Sequence, residues 1–560
     1  MLHRIAPVLI SAVLLASPVS LTADQGAGAY LAALVATRDG AFEAGAKYYA
    51  EALAQSPNDA VLAQGAMVTR VAIGDVAGAV DFARQLTVLN PSDEFGNALV
   101  ATGAMATRDF DAAVIALSGE GLVNNPLLNH LLGGWALIGA GQFAAGIERF
   151  GELDQNNGLR GVARYHQALA NAYAGDFESA ARSYQDGGDA TYISRTSILA
   201  HAEILAVLED YQGATLLMTR GAGARLNDAE ANDLRRSVQA GAPISFTRIQ
   251  DASDGAAEAL MLMAEALRND DAGRLALFFA RLSAYLQPNR ADAAVLIGDI
   301  LVSEDQGPLA LAAYRQVPVE APLALAALAG AVGVMESQGG ADAAIDDLLA
   351  GVERHGEVPS LLNLLGDVLR RSARYGEAVD AYSRAIDAVG NPDAANVWSL
   401  YYMRGIALER DARWDEAEID LRKAMQLSPD QAGLLNMLGY SLVDRGLALD
   451  EALEMIERAM ELRPDDGYIT DSLAWALYRM GRYEEALPHM LQAVLLRPGD
   501  GILNDHYGDI LWKVGRQREA VFQWNRALAS GAADIDRVRI EDKLASGLDA
   551  VLADEADAEN

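Results

Sequence analysis

The feature that most constrains this chain is a small residue that returns about every 34 positions. Gly45, Ala79, Ala113, Gly146, Ala180 and Ala214 are separated by 34, 34, 33, 34 and 34 residues. After a break, Ala276, Ala310, Ala344, Ala378, Ala417, Ala452, Ala486 and Ala520 follow at steps of 34, 34, 34, 39, 35, 34 and 34. An aromatic often stands three residues earlier, as at Phe42, Phe110, Phe143, Phe177, Tyr211, Tyr375, Trp414 and Tyr483. Prolines such as Pro57, Pro91, Pro429 and Pro464 fall between units. There they end one helix and start the next.

Each period holds two apolar-periodic stretches joined by a short turn. In the unit from Ile469 to Arg497, Leu473, Ala474 and Leu477 share one helical face. Gly481 and Arg482 make the turn, and Ala486, Met490 and Ala493 share the face of a second helix. The small residue belongs where two helices cross closely, since a larger side chain would push the backbones apart. One hairpin cannot bury its apolar face alone, so neighbours must stack. The expected fold is an all-α solenoid of about fourteen helix-turn-helix repeats, forming a curved superhelix with one interruption. Richness in alanine, the best helix former, agrees with this.

The units resemble the tetratricopeptide repeat family, whose pattern is W-x2-L-G-x2-Y, then A-x3-F, then proline. Leu365-Gly366, Leu438-Gly439 and Tyr507-Gly508 stand at the leucine–glycine step. Ala378/Tyr382/Ala385, Ala417/Leu421/Ala424/Pro429 and Ala520/Trp524/Ala527 stand at the second-helix step. The early units keep the period with less of the detail, and glycine replaces alanine at Gly45 and Gly146. The resemblance implies a protein–protein interaction scaffold binding partners in a concave groove. With the export signal described below, the chain also resembles envelope tetratricopeptide proteins of proteobacteria, an analogy of fold and setting.

Composition narrows the chemistry. The 560 residues include no cysteine, which excludes disulfides, zinc–thiolate sites, iron–sulfur clusters and thiol catalysis. A net charge of −34 repels phosphate and anionic lipid, so nucleic acid is not an expected partner. Only four of the 44 basic residues are lysine: Lys47, Lys423, Lys513 and Lys543. The seven histidines lie singly in different repeats. No H-E-x-x-H, phosphate-cradling glycine loop or G-x-S-x-G elbow occurs, so neither an enzyme nor a cofactor or metal is expected.

Met1 to Arg4 gives a short positive start, and Ile5 to Ala23 carries no charge. This is the layout of a secretory signal peptide over residues 1–23, with periplasmic or envelope location of the product. The alternative is an uncleaved inner-membrane anchor, making the chain a membrane-held accessory subunit for lipoprotein or polysaccharide traffic. The expected order is a divergent repeat array over 24–226, an interruption over 227–254, and a second array over 255–532. A capping helix over 533–548 and an acidic disordered tail over 549–560 then follow. From Ala214 to Ala276 is 62 residues, short of two periods, and the segment includes a polar helix candidate, Ala229 to Ala240. It reads as a worn in-line repeat, or as a hinge or a loop entering the groove.

The groove face can be phased in the last repeats. Tyr468, Asp471, Trp475 and Tyr478 are spaced i, i+3, i+7, i+10, opposite Leu473 and Leu477. One period on lie Ile502, Asp505, Asp509 and Trp512. One unit back lie Asn436, Tyr440 and Val443, and before them Ser399, Tyr402, Ile406 and Glu409. The candidate partner-binding residues are Tyr440, Tyr468, Asp471, Trp475, Tyr478, Asp505, Asp509 and Trp512. Rings interleaved with acids suit a basic or amphipathic protein or peptide, through cation–π contacts and charge. The same rings also suit packing between adjacent repeats, and both readings stay open.

Overall fold

The computed structural model describes residues 25–118, 126–155, 158–226, 228–268, 272–532 and 535–558. Residues 1–23, the expected signal peptide, lie outside them. The chain divides into two compact units, residues 1–340 and 341–560. Among the described residues all regular structure is helical. No helix there is long and apolar enough to cross a membrane.

The first unit begins with α1 (Gln25–Arg38), α2 (Phe42–Gln55), α3 (Ala60–Ile73), α4 (Val76–Leu89), α5 (Glu94–Ala106) and α6 (Phe110–Leu117). It continues through α7 (Pro126–Gly139), α8 (Phe143–Gly151), α9 (Arg160–Tyr173), α10 (Phe177–Gly187), α11 (Arg195–Val207), α12 (Tyr211–Thr219) and α13 (Ala229–Gln239). The last members are α14 (Ala252–Arg268), α15 (Gly273–Leu286), α16 (Ala291–Ser303), α17 (Gly307–Tyr314) and α18 (Ala324–Ser337). The second unit holds α19 (Ala341–His355), α20 (Pro359–Arg371), α21 (Tyr375–Val389), α22 (Trp398–Arg410), α23 (Trp414–Leu427), α24 (Ala432–Asp444) and α25 (Leu449–Leu462). It ends with α26 (Gly467–Arg479), α27 (Tyr483–Leu496), α28 (Gly501–Lys513), α29 (Gln517–Ala529), α30 (Arg537–Ser546) and α31 (Leu548–Ala558). Consecutive helices pack in pairs and pairs on pairs, so each unit is an α-solenoid.

The periodic alanines are the crossing points. All twelve of them, from Ala79 to Ala520, have no exposed surface. Four residues after each comes the side chain that fills the hairpin. Tyr382 lies over Gly366, where an added Cβ would meet its ring at 2.6 Å, and Trp524 lies over Gly508, where it would meet the indole at 2.3 Å. The leucine–glycine step is therefore a slot for the second helix's aromatic.

The turns repeat as faithfully. Among the described residues the hairpins close on a left-handed residue, with the amide after it bonded back five residues. At Gly481 φ is +75° and the Arg482 amide donates to the Leu477 carbonyl at 2.9 Å. At Ala412 the same position carries a Cβ, with φ +59°. Ala412→Gly is expected to stabilise the second unit by about 0.5–1 kcal/mol, the Cβ penalty less glycine's extra chain entropy. A higher urea midpoint with an unchanged slope would show it.

The division between units is not at 227–254. Helix α13 packs on α12 and α11, continuing the line of repeats. Residues 241–251 then run irregularly back along the array. Phe246 meets Phe177 edge-on, the Thr247 amide donates to Glu203, and Asp251 pairs with Arg108 at 2.8 Å. This return delivers α14 against α7 and α9, and α15 against α3 and α5. Those are the first helices of their repeats, so the inner face of the first array is filled by its own chain. The segment is neither a hinge nor only a worn repeat, and 252–337 belongs with the first unit rather than with a second array beginning at 255.

The filling is specific. The Trp135 ring lies against Gly255, where a Cβ would approach within 2.2 Å. Ser253 donates to the Met105 carbonyl at 3.1 Å, and the Tyr165 hydroxyl donates to Glu258 at 2.7 Å. Arg290 pairs with Glu258 at 2.5 Å and with Asp292 at 2.8 Å. Arg281 of α15 reaches the carbonyl end of α3, donating to Ala72. A helix C-terminus favours a cation there, while burial pulls this guanidinium down to about 10.

At the other end, α30 occupies the place expected for a capping helix. The expected acidic disordered tail is instead helix α31. Leu548 and Val551 are buried beneath it, and its acids have basic partners in Asp549–Lys513 and Glu555–Arg539.

Candidate partner-binding face

Aspartate caps set the phase of the last first helices. Asp466 accepts from the Tyr468 and Ile469 amides at the start of α26, and Asp500 accepts from Leu503 at the start of α28. From this start Asp471, Trp475 and Tyr478 fall on one side of α26, facing α28. All three are buried. The Trp475 ring stacks on Tyr478 at 4.7 Å and on His506 at 3.9 Å, between centroids. His506 Nδ1 lies 2.9 Å from Asp471. Burial pushes the imidazole pKa down, but Asp471, Asp505 and Asp509 outweigh burial and raise it. Tyr468 is exposed, with the Arg497 guanidinium 4.2 Å over its ring.

One repeat on, Asp505 and Asp509 meet α30. Lys543 Nζ lies 2.9 Å from Asp505 and 2.7 Å from Asp509, and is wholly buried. Trp524 donates to Asp509 at 2.9 Å, and Arg539 approaches the same carboxylate at 3.5 Å. The Trp512 indole donates to Asp549 at 2.9 Å, and its ring lies 5.4 Å from Trp524. Hydrogen bonds from Lys513 and Trp512 hold the Asp549 carboxyl below its ordinary range.

Of the eight candidates, the structure gathers Asp471, Trp475 and Tyr478 around His506, and Asp505 and Asp509 around Lys543. Trp512 joins Asp549, and Tyr440 stands half-buried on α24. Burial, with Asp471 and Asp444 nearby, raises the Tyr440 phenol. His506, Lys543, Trp524 and Asp549 complete these groups and were not among the candidates. The signal for one of them was available: Lys543, with Arg539 beside it, stands one period after Asp509 as Arg539 does after Asp505. The phase continues into the cap with the charge reversed.

Further back the same face is less occupied. Tyr402 on α22 is half-buried, its phenol raised by burial against the opposing effect of Arg370 and Arg463. Asn436 on α24 holds a buried Oδ1 with no hydrogen-bond partner among the described residues. Asp367 on α20 accepts from the Tyr382 hydroxyl at 2.7 Å. The described residues contain no group of three or more His, Asp or Glu placed to hold a metal ion.

Residues 337–531 match the tetratricopeptide repeat family profile. Together with the hairpin geometry above, this makes residues 337–531 an array of tetratricopeptide repeats. Among solved structures the chain is similar to a tetratricopeptide repeat protein from Parabacteroides merdae, at 18% identity over 45% of this chain and 96% of that one, with TM-score 0.37. It is similar to YrrB, described as a TPR protein with an unusual peptide-binding site, at 21% identity over 33% and 91%, with TM-score 0.27. It is also similar to MamA of Desulfovibrio magneticus RS-1, at 18% identity over 31% and 96%, with TM-score 0.28. No curated protein sequence matches the chain.

Proposed function

We propose that this protein is an exported scaffold of the cell envelope that captures a basic or amphipathic segment of a partner protein on the first helices of its second unit. The observation that carries this reading is the difference between the two inner faces. In the first unit α14 and α15 already lie against α3, α5, α7 and α9. In the second, Tyr402, Asn436 and Tyr440 stay partly accessible on α22 and α24. The two phenol rings offer area and cation–π contact to a bound chain. Glu409 and Asp444 supply charge for Lys or Arg, although each also meets an arginine of its own chain.

Crosslinked capture from intact cells tests this. Tyr402→Ala with Tyr440→Ala should lose the captured partner while helicity is retained. Undiminished capture by the folded double variant would refute the face. Export is tested by N-terminal sequencing, with a mature protein beginning near residue 24 expected and a full-length cytoplasmic product contradicting it.

A further inference from the structure

We infer that the second unit holds its partner segment as an α-helix, seated as α14 is seated in the first unit: a glycine, alanine or serine of that helix faces Tyr440, and a carboxylate one turn on meets Tyr402. The inference rests on the partner-binding face proposed above, and names the form and the side chains of the segment that face takes.

The first unit supplies the pattern, because α14 lies on its inner face through residues whose places in the repeat recur in the second. The slot under the second helix's filling side chain gives the register. In the first unit that slot is Gly134, under Phe150, and one period on it is Ala168. In the second it is Gly405, under Leu421, and one period on it is Gly439, under Ile456. Trp135 and Tyr440 both follow their slot by one residue, and Tyr165 and Tyr402 both precede theirs by three. Trp135 takes the backbone of α14 at Gly255, and the Tyr165 hydroxyl donates to Glu258 at 2.7 Å. Gly255 and Glu258 are three apart, neighbours on one face of a helix. Both rings are wholly buried there. Tyr440 and Tyr402 hold the same places and stay half-buried.

Rings offer an extended segment no partners for its amides and carbonyls, whereas a helix satisfies its own. Charge then sorts the side chains along that helix. The charges around the Tyr402 phenol are Arg370 and Arg463. A carboxylate accepting from that hydroxyl is favoured there, as Glu258 is between Tyr165 and Arg290. Around Tyr440 the carboxylates of Asp471, Asp444 and Glu409 outnumber Arg479. The residue beside the small one is therefore Lys or Arg, so the helix carries both signs of charge on the face it presents.

A labelled peptide of residues 252–268 carrying Asp254→Lys, titrated with the purified full chain, tests the helical seat. Gly255→Leu in the peptide should weaken binding about ten-fold or more, by overfilling the approach to Tyr440. Leu260→Pro, which breaks the helix, should weaken it at least about as much. Glu258→Gln should weaken it about three- to ten-fold. That loss should shrink when the protein carries Tyr402→Phe, because the two changes remove the same contact. Restoring Asp254 should also weaken binding. No binding of the peptide, or binding unchanged in folded protein carrying Tyr402→Phe with Tyr440→Ala, would overturn the inference. So would a Leu260→Pro peptide that binds as well as its parent, which would make the segment extended while cellular capture at Tyr402 and Tyr440 stands. Conversely, cellular capture that ignores both tyrosines, with the peptide still bound through them, would refute the proposed partner and uphold the helical seat.

Discussion

Arg290→Met is expected to destabilise the first unit by about 3–5 kcal/mol at neutral pH. Arg290 is the counter-charge for Glu258 and Asp292, and Glu258 is almost wholly buried between Tyr165 and that guanidinium. Removing one member of a buried pair strands the other's charge, which costs far more than the intact pair contributes. Exchange of the α14 amides reads the loss. The defect has a pH signature. Against burial, Arg290 holds the Asp292 carboxyl below its ordinary range, so without Arg290 lowering the pH protonates that stranded carboxylate and restores part of the stability. A loss below about 1 kcal/mol, or one independent of pH, would mean that α14 is not held on the inner face through this network.

The second large effect is at Trp475. Trp475→Ala should cost about 3–5 kcal/mol, because it removes a buried indole stacked on both sides. His506 would also lose the ring that shields its pairing with Asp471. The melting temperature of the second unit should therefore fall sharply. Trp512→Ala should cost less, since Trp512 is only half-buried and its indole bond is to exposed Asp549. A wild-type melting temperature for Trp475→Ala, with partner capture abolished, would return Trp475 to the role of a ligand contact.

Much of the architecture was legible from spacing. The periodic alanines, with Gly45 and Gly146, marked the crossings within the hairpins, and the hairpin turns follow the same period. Two things were not legible. The packing of α14 and α15 on the inner face joins residues far apart in sequence, such as Arg281 and Ala72. A repeat pattern reports only contacts between neighbouring units, so it is silent about such closure. For the same reason it misplaced the boundary between units. The spacing places Asp471, Trp475 and Tyr478 on one side of α26, yet the phase alone does not say what lies opposite. For Asp471 it is His506, and for Asp505 and Asp509 it is Lys543.

The scarcity of lysine also finds a structural reason. Arg374, Arg413, Arg482 and Arg516 stand at the start of second helices, each gripping a glutamate three residues on through Nε and Nη2. Arg404 holds Asp420 in the same two-pronged way. An ammonium group cannot form that planar fork. Exposed pairs of this kind contribute little stability each, so their recurrence fits the geometry of the helix start better than a need for strength.

The central claim is that partners are captured on the first helices of the second unit. A photoreactive phenylalanine analogue placed singly at Tyr402, Tyr440, Tyr173 or Phe522 of the full chain, and activated in intact cells, tests it most directly. Tyr173 and Phe522 are exposed aromatics on α9 and α29 and serve as references. Crosslinked partner protein is expected from positions 402 and 440, and little from 173 and 522. Crosslinks from Tyr173 or Phe522 with none from Tyr402 or Tyr440 would contradict it.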